Sequence, residues 1–182
     1  LGILRTESDS TAPTPAQIRA RATDGRVLVL TKSNARSTVH RPGYLDYIGV
    51  KRFDPQGQVI GERRFVGLFT SIAYHANPAD IPLLRHKVDA VVQRAGFLPG
   101  SHAAKALATI LEQYPRDELF QIDADELYAA AMGILRLGER QRTRLFLRRD
   151  AFGRFVSCLI YVPRENYNTD LRARMQAVLV EA

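Results

Sequence analysis

Residues Arg63–Tyr74 read RRFVGLFTSIAY, and this stretch decides how the first half of the chain is expected to fold. Its aromatic and β-branched residues favour a strand. Gly67 interrupts the apolar run, and a glycine inside a strand marks a bulge or a close approach of another backbone. The polar pair Thr70 and Ser71 can turn the chain or cap the segment that follows. The stretch therefore predicts a buried strand that leaves a sheet near Thr70.

Two further strands are predicted before this stretch. Tyr44–Phe53 has the composition of a strand, and the turn Asp54-Pro55-Gln56-Gly57 joins it to Val59–Phe69 as an antiparallel hairpin. Arg26–Lys32, RVLVLTK, predicts another strand that is apolar enough to be buried on both faces, and a polar loop is expected over Ser33–Gly43. The first part of the chain therefore predicts a three-stranded antiparallel sheet.

Helical periodicity follows the sheet. Apolar residues recur at helical spacing from Ile81 to Gly96, and Ser101 can cap a helix over His102–Gln113. A short helix is also predicted at Ala16–Ala22. We therefore predict an α+β N-terminal module over residues 1–115, with the three-stranded sheet and two main helices.

The remaining residues predict a second unit. Glu118–Ile122, ELFQI, suggests a short strand, and Asp123 with Glu126 forms a capping-box pair at the start of a helix that reaches Leu137. A hairpin follows at Thr143–Arg149 and Arg154–Val162, and then a last helix capped by Asn168. The order βαββα is the ferredoxin-like plan without its last strand. We therefore predict a partial domain of this plan over residues 116–182, with antiparallel sheets and helices packed on one face.

Composition limits the classes of protein to which the chain can belong. The hydrophobic share of 46% suffices for a core, and no apolar run approaches the roughly 20 residues that span a bilayer. The single Cys158 forms no internal disulfide, which favours a reducing cytoplasm. The net charge is +7, but the basic residues are spread along the chain, so a nucleic-acid module ranks low. The chain begins with Leu1 rather than Met, and we expect it to be a piece of a longer protein.

No catalytic or metal motif is present in the sequence. The four histidines, at positions 40, 75, 86 and 102, have no metal-ligand spacing, and phosphate-binding and nucleophile motifs are absent. The alternating charges of Pro115-Arg116-Asp117-Glu118 and of Pro163-Arg164-Glu165-Asn166-Tyr167 stand at element boundaries. These two segments either hold an anionic ligand or a partner, or are turns with local salt bridges of less than about 1 kcal/mol each.

Three long strings resemble one family. RRFVGLFTSIAY, YPRDELFQID and FLRRDAFGRFVSCLIYVPRENYNTDLR are similar to the N-terminal half of the large bacterial NAD-specific glutamate dehydrogenases, and the resemblance covers the chain from about Tyr44 onwards. It implies ACT-like domains, which have the ferredoxin-like fold and are associated with amino-acid sensing and oligomer contacts. It also implies that catalysis and NAD binding belong to other parts of the full enzyme, so we expect no catalytic, cofactor or metal residue in this chain.

The resemblance leads to a functional expectation. We expect a regulatory and assembly segment whose partners are other domains of the same long chain, further copies of that chain and an amino-acid effector, with no nucleic acid and no membrane. The alternative is a purely structural scaffold that binds no small molecule. The residues predicted to contact an effector or a neighbouring domain follow the first hairpin or flank the second unit: Arg64, Thr70, Ser71, Tyr74, Arg116, Asp117, Arg164 and Tyr167.

Overall fold

The computed structural model describes residues 16–39, 42–138 and 142–181, without the side chains at positions 17–19 and 21. The α+β class with antiparallel sheets is confirmed. A three-stranded sheet, a group of helices and a two-stranded hairpin follow one another along the chain.

The sheet is antiparallel in the order β1-β2-β3, as predicted. Helix α1 (Ala16–Thr23) precedes β1 (Leu28–Ser37), β2 (Gly43–Phe53) and β3 (Val59–Gly67). The β2–β3 turn is built by Asp54, whose Oδ1 accepts the backbone N–H groups of Gln56 at 3.0 Å and Gln58 at 2.7 Å. Gly57 takes φ +79° there, in the region that favours glycine.

Two strands of this sheet end at residues other than those predicted. Strand β1 continues to Ser37, through residues for which the sequence predicts a loop. Its pairing with β2 is irregular after Lys32 and resumes at Arg36, which lies opposite Tyr44. Strand β3 ends at Gly67, two residues early, because the backbone N–H of Phe69 donates to Asp46 Oδ2 at 3.0 Å instead of continuing the ladder. The chain leaves the sheet close to the expected position. The predicted burial is wrong, because no residue of β3 is buried, with Phe65 58% exposed, and β1 is buried on one face only, at Val29 and Thr31.

The helices follow in a continuous series. They are α2 (Ser71–His75), a 3-10 turn (Pro78–Asp80), α3 (Pro82–Ala95), α4 (His102–Gln113), α5 (Arg116–Gln121) and α6 (Ala124–Leu137). The predicted caps are confirmed. Ser101 Oγ accepts from the Ala104 N–H at 3.2 Å, Asp123 Oδ1 accepts from the Glu126 N–H at 2.8 Å, and Gly96 ends α3 with φ 63°.

The strand predicted at Glu118–Ile122 is wrong, because these residues belong to α5 and its C-cap. Asp117 and Glu118 stand in the first turn of this helix, where acidic residues are favoured. Leu119 and Phe120 are buried in the helical core, and Lys87 Nζ donates to their carbonyl oxygens at 2.7 and 3.3 Å. The order after Pro115 is therefore two helices, two strands and one helix.

The C-terminal part contains β4 (Arg144–Arg149), β5 (Val156–Tyr161), a 3-10 turn (Arg164–Asn166) and α7 (Thr169–Glu181). The two strands form the predicted antiparallel hairpin. Asn168 Oδ1 accepts the Leu171 N–H at 2.8 Å, which confirms its predicted capping role. None of the described residues of α7 is buried.

The main core lies among α3, α4, α5 and α6. Its fully buried side chains include Leu84, Val91, Leu107, Leu111, Leu119 and Leu127. The hairpin closes this core with Phe146, Leu159 and Tyr161, and Phe69 stacks on Phe120 with ring centroids 4.4 Å apart. A smaller cluster of Val29, Tyr47 and Phe152 joins the sheet to the hairpin turn. In the part of the chain that the structure describes, no helix has both the length and the apolar character needed to cross a membrane.

Candidate functional site

A cluster of charged side chains lies where the sheet meets the helices. Lys32 Nζ on β1 donates to Asp46 Oδ1 on β2 at 2.6 Å and to Asp117 Oδ1 on α5 at 3.0 Å. The Tyr74 hydroxyl on α2 donates to the same Asp117 oxygen at 2.7 Å. We call Lys32, Asp46, Tyr74 and Asp117 the polar junction. It connects residues that are as far as 85 positions apart in the sequence.

The junction is largely shielded from water on the sheet side. The side chains of Lys32 and Asp46 are 19% and 8% exposed, whereas Asp117 is 47% exposed. The second carboxylate oxygen of Asp46 accepts the backbone N–H of Phe69, just after the end of β3. The junction therefore fixes both the β1–α5 contact and the path from β3 into α2.

A second polar group fastens the hairpin turn to β1. Thr31 Oγ1 donates to Asp150 Oδ1 at 2.8 Å. Arg154 donates from Nε to Asp150 Oδ2 at 3.2 Å and from Nη2 to Thr31 Oγ1 at 2.6 Å. Asp150 also accepts the backbone N–H of Phe152 at 3.1 Å. We call Thr31, Asp150 and Arg154 the hairpin latch. Thr31 and Asp150 are both buried, at 3% and 4% exposure.

A third pair joins the hairpin to α5. Arg148 on β4 donates two hydrogen bonds to Glu118, one from Nε to Oε1 and one from Nη2 to Oε2, the latter at 3.0 Å. The two side chains are 7% and 12% exposed. Burial alone would lower the pKa of Arg148, but the hydrogen bond and charge of Glu118 outweigh it and raise this pKa. The guanidinium therefore stays charged and bound to its partner.

These three groups share two structural features. Each contains buried charges with opposite partners, and each connects two different parts of the fold. Among the described residues, no group of three or more His, Cys, Asp or Glu side chains could hold a metal ion. His40, one of the four histidines, lies outside the described residues.

The structure brings together two of the residues predicted from sequence, Tyr74 and Asp117. Arg116 points elsewhere: its Nη2 donates to the carbonyl of Ala76 at 3.0 Å, while its Nε and Nη1 are buried with no hydrogen-bond partner. Burial lowers the pKa of Arg116. Thr70 occupies the N-cap position of α2, where Ser71 begins the helix, and its side chain makes no capping bond.

The other predicted residues lie outside the polar junction. Arg64 is on β3, with its Nε 4.0 Å from a carboxylate oxygen of Glu62. Arg164 begins the 3-10 turn before α7, and Tyr167 follows that turn with 57% exposure. Contact of any of the eight residues with an effector or another domain stays a prediction.

Sequence reasoning missed most of the residues that form the three groups. A signal was present, because Thr31, Lys32 and Asp46 are polar residues inside otherwise apolar strands. A buried polar group requires a partner, so such residues indicate contacts across the fold. Glu118 lies in the charged segment that begins at Pro115, which the sequence alone selects, whereas Arg148, Asp150 and Arg154 gave no comparable signal, because charged residues near turns are common on surfaces.

Comparison with known proteins identifies the family. The sequence model described as "Glutamate dehydrogenase, helical motif 1" matches residues 81–140, and "Glutamate dehydrogenase, ACT2 domain" matches residues 144–182. The NAD-specific glutamate dehydrogenases of Halomonas elongata and Pseudomonas aeruginosa are 51% and 48% identical over 156 and 155 residues, or 86% and 85% of this chain. The one from Mycobacterium tuberculosis is 34% identical over 181 residues, 99% of this chain.

The chain belongs to the NAD-specific glutamate dehydrogenase family. It covers about 10% of the length of these relatives. The resemblance inferred from the sequence is confirmed, as is the ACT-like character of the C-terminal part. Within the family assignment, helical motif 1 corresponds to α3–α6, and the ACT2 match contains β4, β5 and α7. The division predicted between residues 115 and 116 stays a prediction.

Proposed function

We propose that this chain is a non-catalytic regulatory and assembly segment of an NAD-specific glutamate dehydrogenase. The complete enzyme would oxidatively deaminate L-glutamate with water to 2-oxoglutarate and ammonia while NAD is reduced to NADH, with NAD bound outside this segment. The observation that carries the proposal is a set of polar contacts that joins the three parts of the fold. An ion pair joins the sheet to α5 (Lys32–Asp117), a largely buried ion pair joins the hairpin to α5 (Arg148–Glu118), and a buried hydrogen bond joins the hairpin turn to β1 (Thr31–Asp150).

Buried ion pairs suit a segment that transmits a change. Separating one partner leaves an uncompensated buried charge, which costs several kcal/mol, so intermediate arrangements are disfavoured. The three parts therefore move together or exchange partners as a unit, which is what a two-state element requires. A ligand or a neighbouring subunit that favours one arrangement would shift the population of the whole enzyme.

One observation favours the architectural alternative. The carboxylates of the junction and the latch are satisfied by groups of the chain itself, without any ligand. A scaffold that only spaces other domains would be built in this way. It differs from a regulatory segment in one measurable respect, because its state would not depend on a small molecule.

The proposal is tested in a full-length enzyme that carries this segment. Asp117→Asn removes the charge that Lys32 and Tyr74 share, and Asp89→Asn, an exposed residue of α3, serves as the control. Asp117→Asn is expected to alter the response of the initial rate to added amino acids, or the subunit assembly, more than the KM for glutamate. A change in assembly alone, with no ligand dependence, would favour the scaffold, and no change in either property would overturn both readings.

Location and partners remain predictions. A cytoplasmic site, a homo-oligomeric enzyme and the lack of a nucleic-acid partner are expected from the sequence, and the experiment above bears on the oligomer only.

A further inference from the structure

A cleft of about 340 Å³ opens where the three parts of the fold meet. It is lined by β1 and the connection that leads into it from α1, which includes Arg26, by α3, by the end of α5 and the start of α6, and by the hairpin turn. Its walls are largely apolar and include Leu28, Leu83, Phe120, Ile122 and Phe152. Its volume falls within the range of small-molecule sites, which combine apolar walls with a few polar groups.

Lys87 supplies a cation to this cleft. Its Nζ donates to the carbonyl oxygens of Leu119 and Phe120, and an ammonium group has three donors, so one N–H is left for another acceptor. Burial lowers the pKa of Lys87 to about 8, even though the charges of Asp123 and Glu118 act in the opposite direction and Arg148 adds to the lowering. The ammonium is therefore poorly compensated, and an anion beside it would stabilise its charge.

Gln121 supplies an unused acceptor in the same lining. Its Nε2 donates to the carbonyl of Asp117 at 2.9 Å, whereas its Oε1 is buried and has no hydrogen-bond partner. A buried acceptor without a partner costs free energy that a donor recovers. Gln121 lines the cleft, and presenting Oε1 to a donor there requires the amide end to turn about its last torsion, which is soft, so that Nε2 leaves the Asp117 carbonyl.

We propose that this cleft binds a short carboxylic acid with an apolar chain and a hydrogen-bond donor on its α-carbon. The carboxylate would pair with Lys87, the α-amino or α-hydroxyl group would donate to Gln121 Oε1, and the hydrocarbon chain would lie on Leu28, Leu83 and Phe152. The two acidic residues of the lining are already engaged, since Asp24 accepts from Lys51 and Asp123 caps α6. The donor on the ligand is therefore assigned to Gln121.

A ligand in this position would contact the sheet, the helices and the hairpin turn simultaneously. It would stabilise the arrangement in which the three parts are packed together and so supply the small-molecule input of a regulatory segment. This consequence rests on the proposed function, whereas the binding itself does not.

Calorimetric titration of the 182-residue chain tests the ligand class. The four probes share one branched hydrocarbon chain: L-valine, 2-hydroxy-3-methylbutanoate, 2-oxo-3-methylbutanoate and L-valinamide. The amino or the hydroxy acid is expected to bind saturably, and the oxo acid and the amide at least about tenfold more weakly, because each lacks one of the two polar contacts. The ratio of the first two affinities tells an amino acid from a hydroxy acid. Absence of saturable binding by both, with the chain folded by circular dichroism, would overturn the proposal.

Substitutions locate the site. In Gln121→Met, the affinity for the best ligand is expected to fall to that of the oxo acid. In Lys87→Met, the affinity for this ligand is expected to fall at least about tenfold. Lys105→Met, which replaces an exposed lysine, is the control. Leu83→Glu, at a position that is 38% exposed and therefore tolerant, is expected to abolish binding by placing a negative charge in the cleft. Val92→Glu lies on the same helix outside the lining, with 44% exposure, and is the matched control.

Equal effects of Leu83→Glu and Val92→Glu, or unchanged affinity in both Gln121→Met and Leu83→Glu, would overturn the assignment. Failure here leaves the proposed function standing, since that function is tested by Asp117→Asn in the full-length enzyme, away from this cleft.

Discussion

Lys87 is a single residue whose charge is set by its surroundings. Burial lowers its pKa from 10.5 to about 8, so between pH 8 and 10 the unfolded chain binds more protons than the folded chain. The free energy of unfolding of the native chain should therefore rise with pH in this window relative to Lys87→Met, by at most about 1.4 kcal/mol per pH unit. Urea titrations of both proteins at pH 7, 8, 9 and 10 measure the difference.

The difference between the native chain and Lys87→Met cancels the contributions of other groups that titrate between pH 8 and 10. Burial raises the pKa values of Tyr47, Tyr114 and Tyr161, and these tyrosines are common to both proteins. Below pH 7 the difference should be constant, because Lys87 is then protonated in both states. A difference that stays constant from pH 7 to 10 would contradict the assigned pKa.

The pair of Arg148 and Glu118 makes a second prediction for individual residues. Glu118→Gln leaves the guanidinium of Arg148 buried without its hydrogen-bonded counter-charge, and this should lower the free energy of unfolding by about 3 kcal/mol. The double variant Glu118→Leu with Arg148→Met should recover most of this loss, because no buried charge remains. Denaturant titration at pH 7 checks both values.

The surface pair of Arg94 and Asp125 provides the control. Its side chains are 51% and 89% exposed, so Asp125→Asn should change the free energy of unfolding by less than about 0.5 kcal/mol. Equal losses in Glu118→Gln and Asp125→Asn would show that burial does not distinguish the two pairs.

At the scale of elements, the contact between α6 and the hairpin depends on Gly133. A Cβ atom built at this position would lie 2.6 Å from Cε1 of Phe146, and that ring is held edge-on against Tyr161 with centroids 5.8 Å apart. Helix propensity favours alanine by about 1 kcal/mol, but overpacking costs about 1–3 kcal/mol. Gly133→Ala should therefore destabilise the chain by about 1 kcal/mol in thermal or urea unfolding.

Gly61→Ala in β3 is the control for added volume. An added Cβ there meets nothing within 4 Å, and the residue has no positive φ. The Gly61→Ala variant should be at least as stable as the native chain. If Gly133→Ala were the more stable of the two variants, Phe146 would have to move more freely than its packing indicates.

The elements that sequence predicts well are those with local causes. Asp123, Ser101 and Asn168 cap helices through hydrogen bonds to residues three positions away, so their patterns are visible in the sequence. The hairpin turns are likewise local. The segment ELFQI was misassigned because a short apolar run fits a strand and a buried helix equally well, and the choice is made by distant partners such as Lys87.

The site is less predictable for the same reason. Tyr74 and Asp117 could be selected as polar residues near element ends, but their meeting depends on a contact across 43 positions. The partners of Thr31 and Lys32 lie 119 and 85 positions away. Sequence patterns show that such residues need partners, whereas the identity of the partner is a property of the tertiary packing.

At the scale of the whole molecule, β1 is the strand through which the sheet is attached to the rest of the chain. Lys32 connects it to α5, Thr31 connects it to the hairpin turn, and Val29 packs on Phe152. The stacked rings of Phe69 and Phe120 form a further link outside β1. The integrity of the molecule therefore depends on a few polar contacts rather than on one continuous core.

The double variant Thr31→Val with Lys32→Met tests this dependence. It removes the hydroxyl between Asp150 and Arg154 and the cation between Asp46 and Asp117, which leaves buried carboxylates short of partners. In hydrogen exchange with increasing urea, β2 and β3 should lose protection at lower urea than α4 and α6, whereas the native chain should lose protection in one transition. Arg52→Met, an exposed cation on β2, should behave as the native chain does. If the sheet and the helices of the double variant opened at the same urea concentration, the apolar contacts alone would hold the three parts together, and the polar junction and the hairpin latch would not be the elements that couple them.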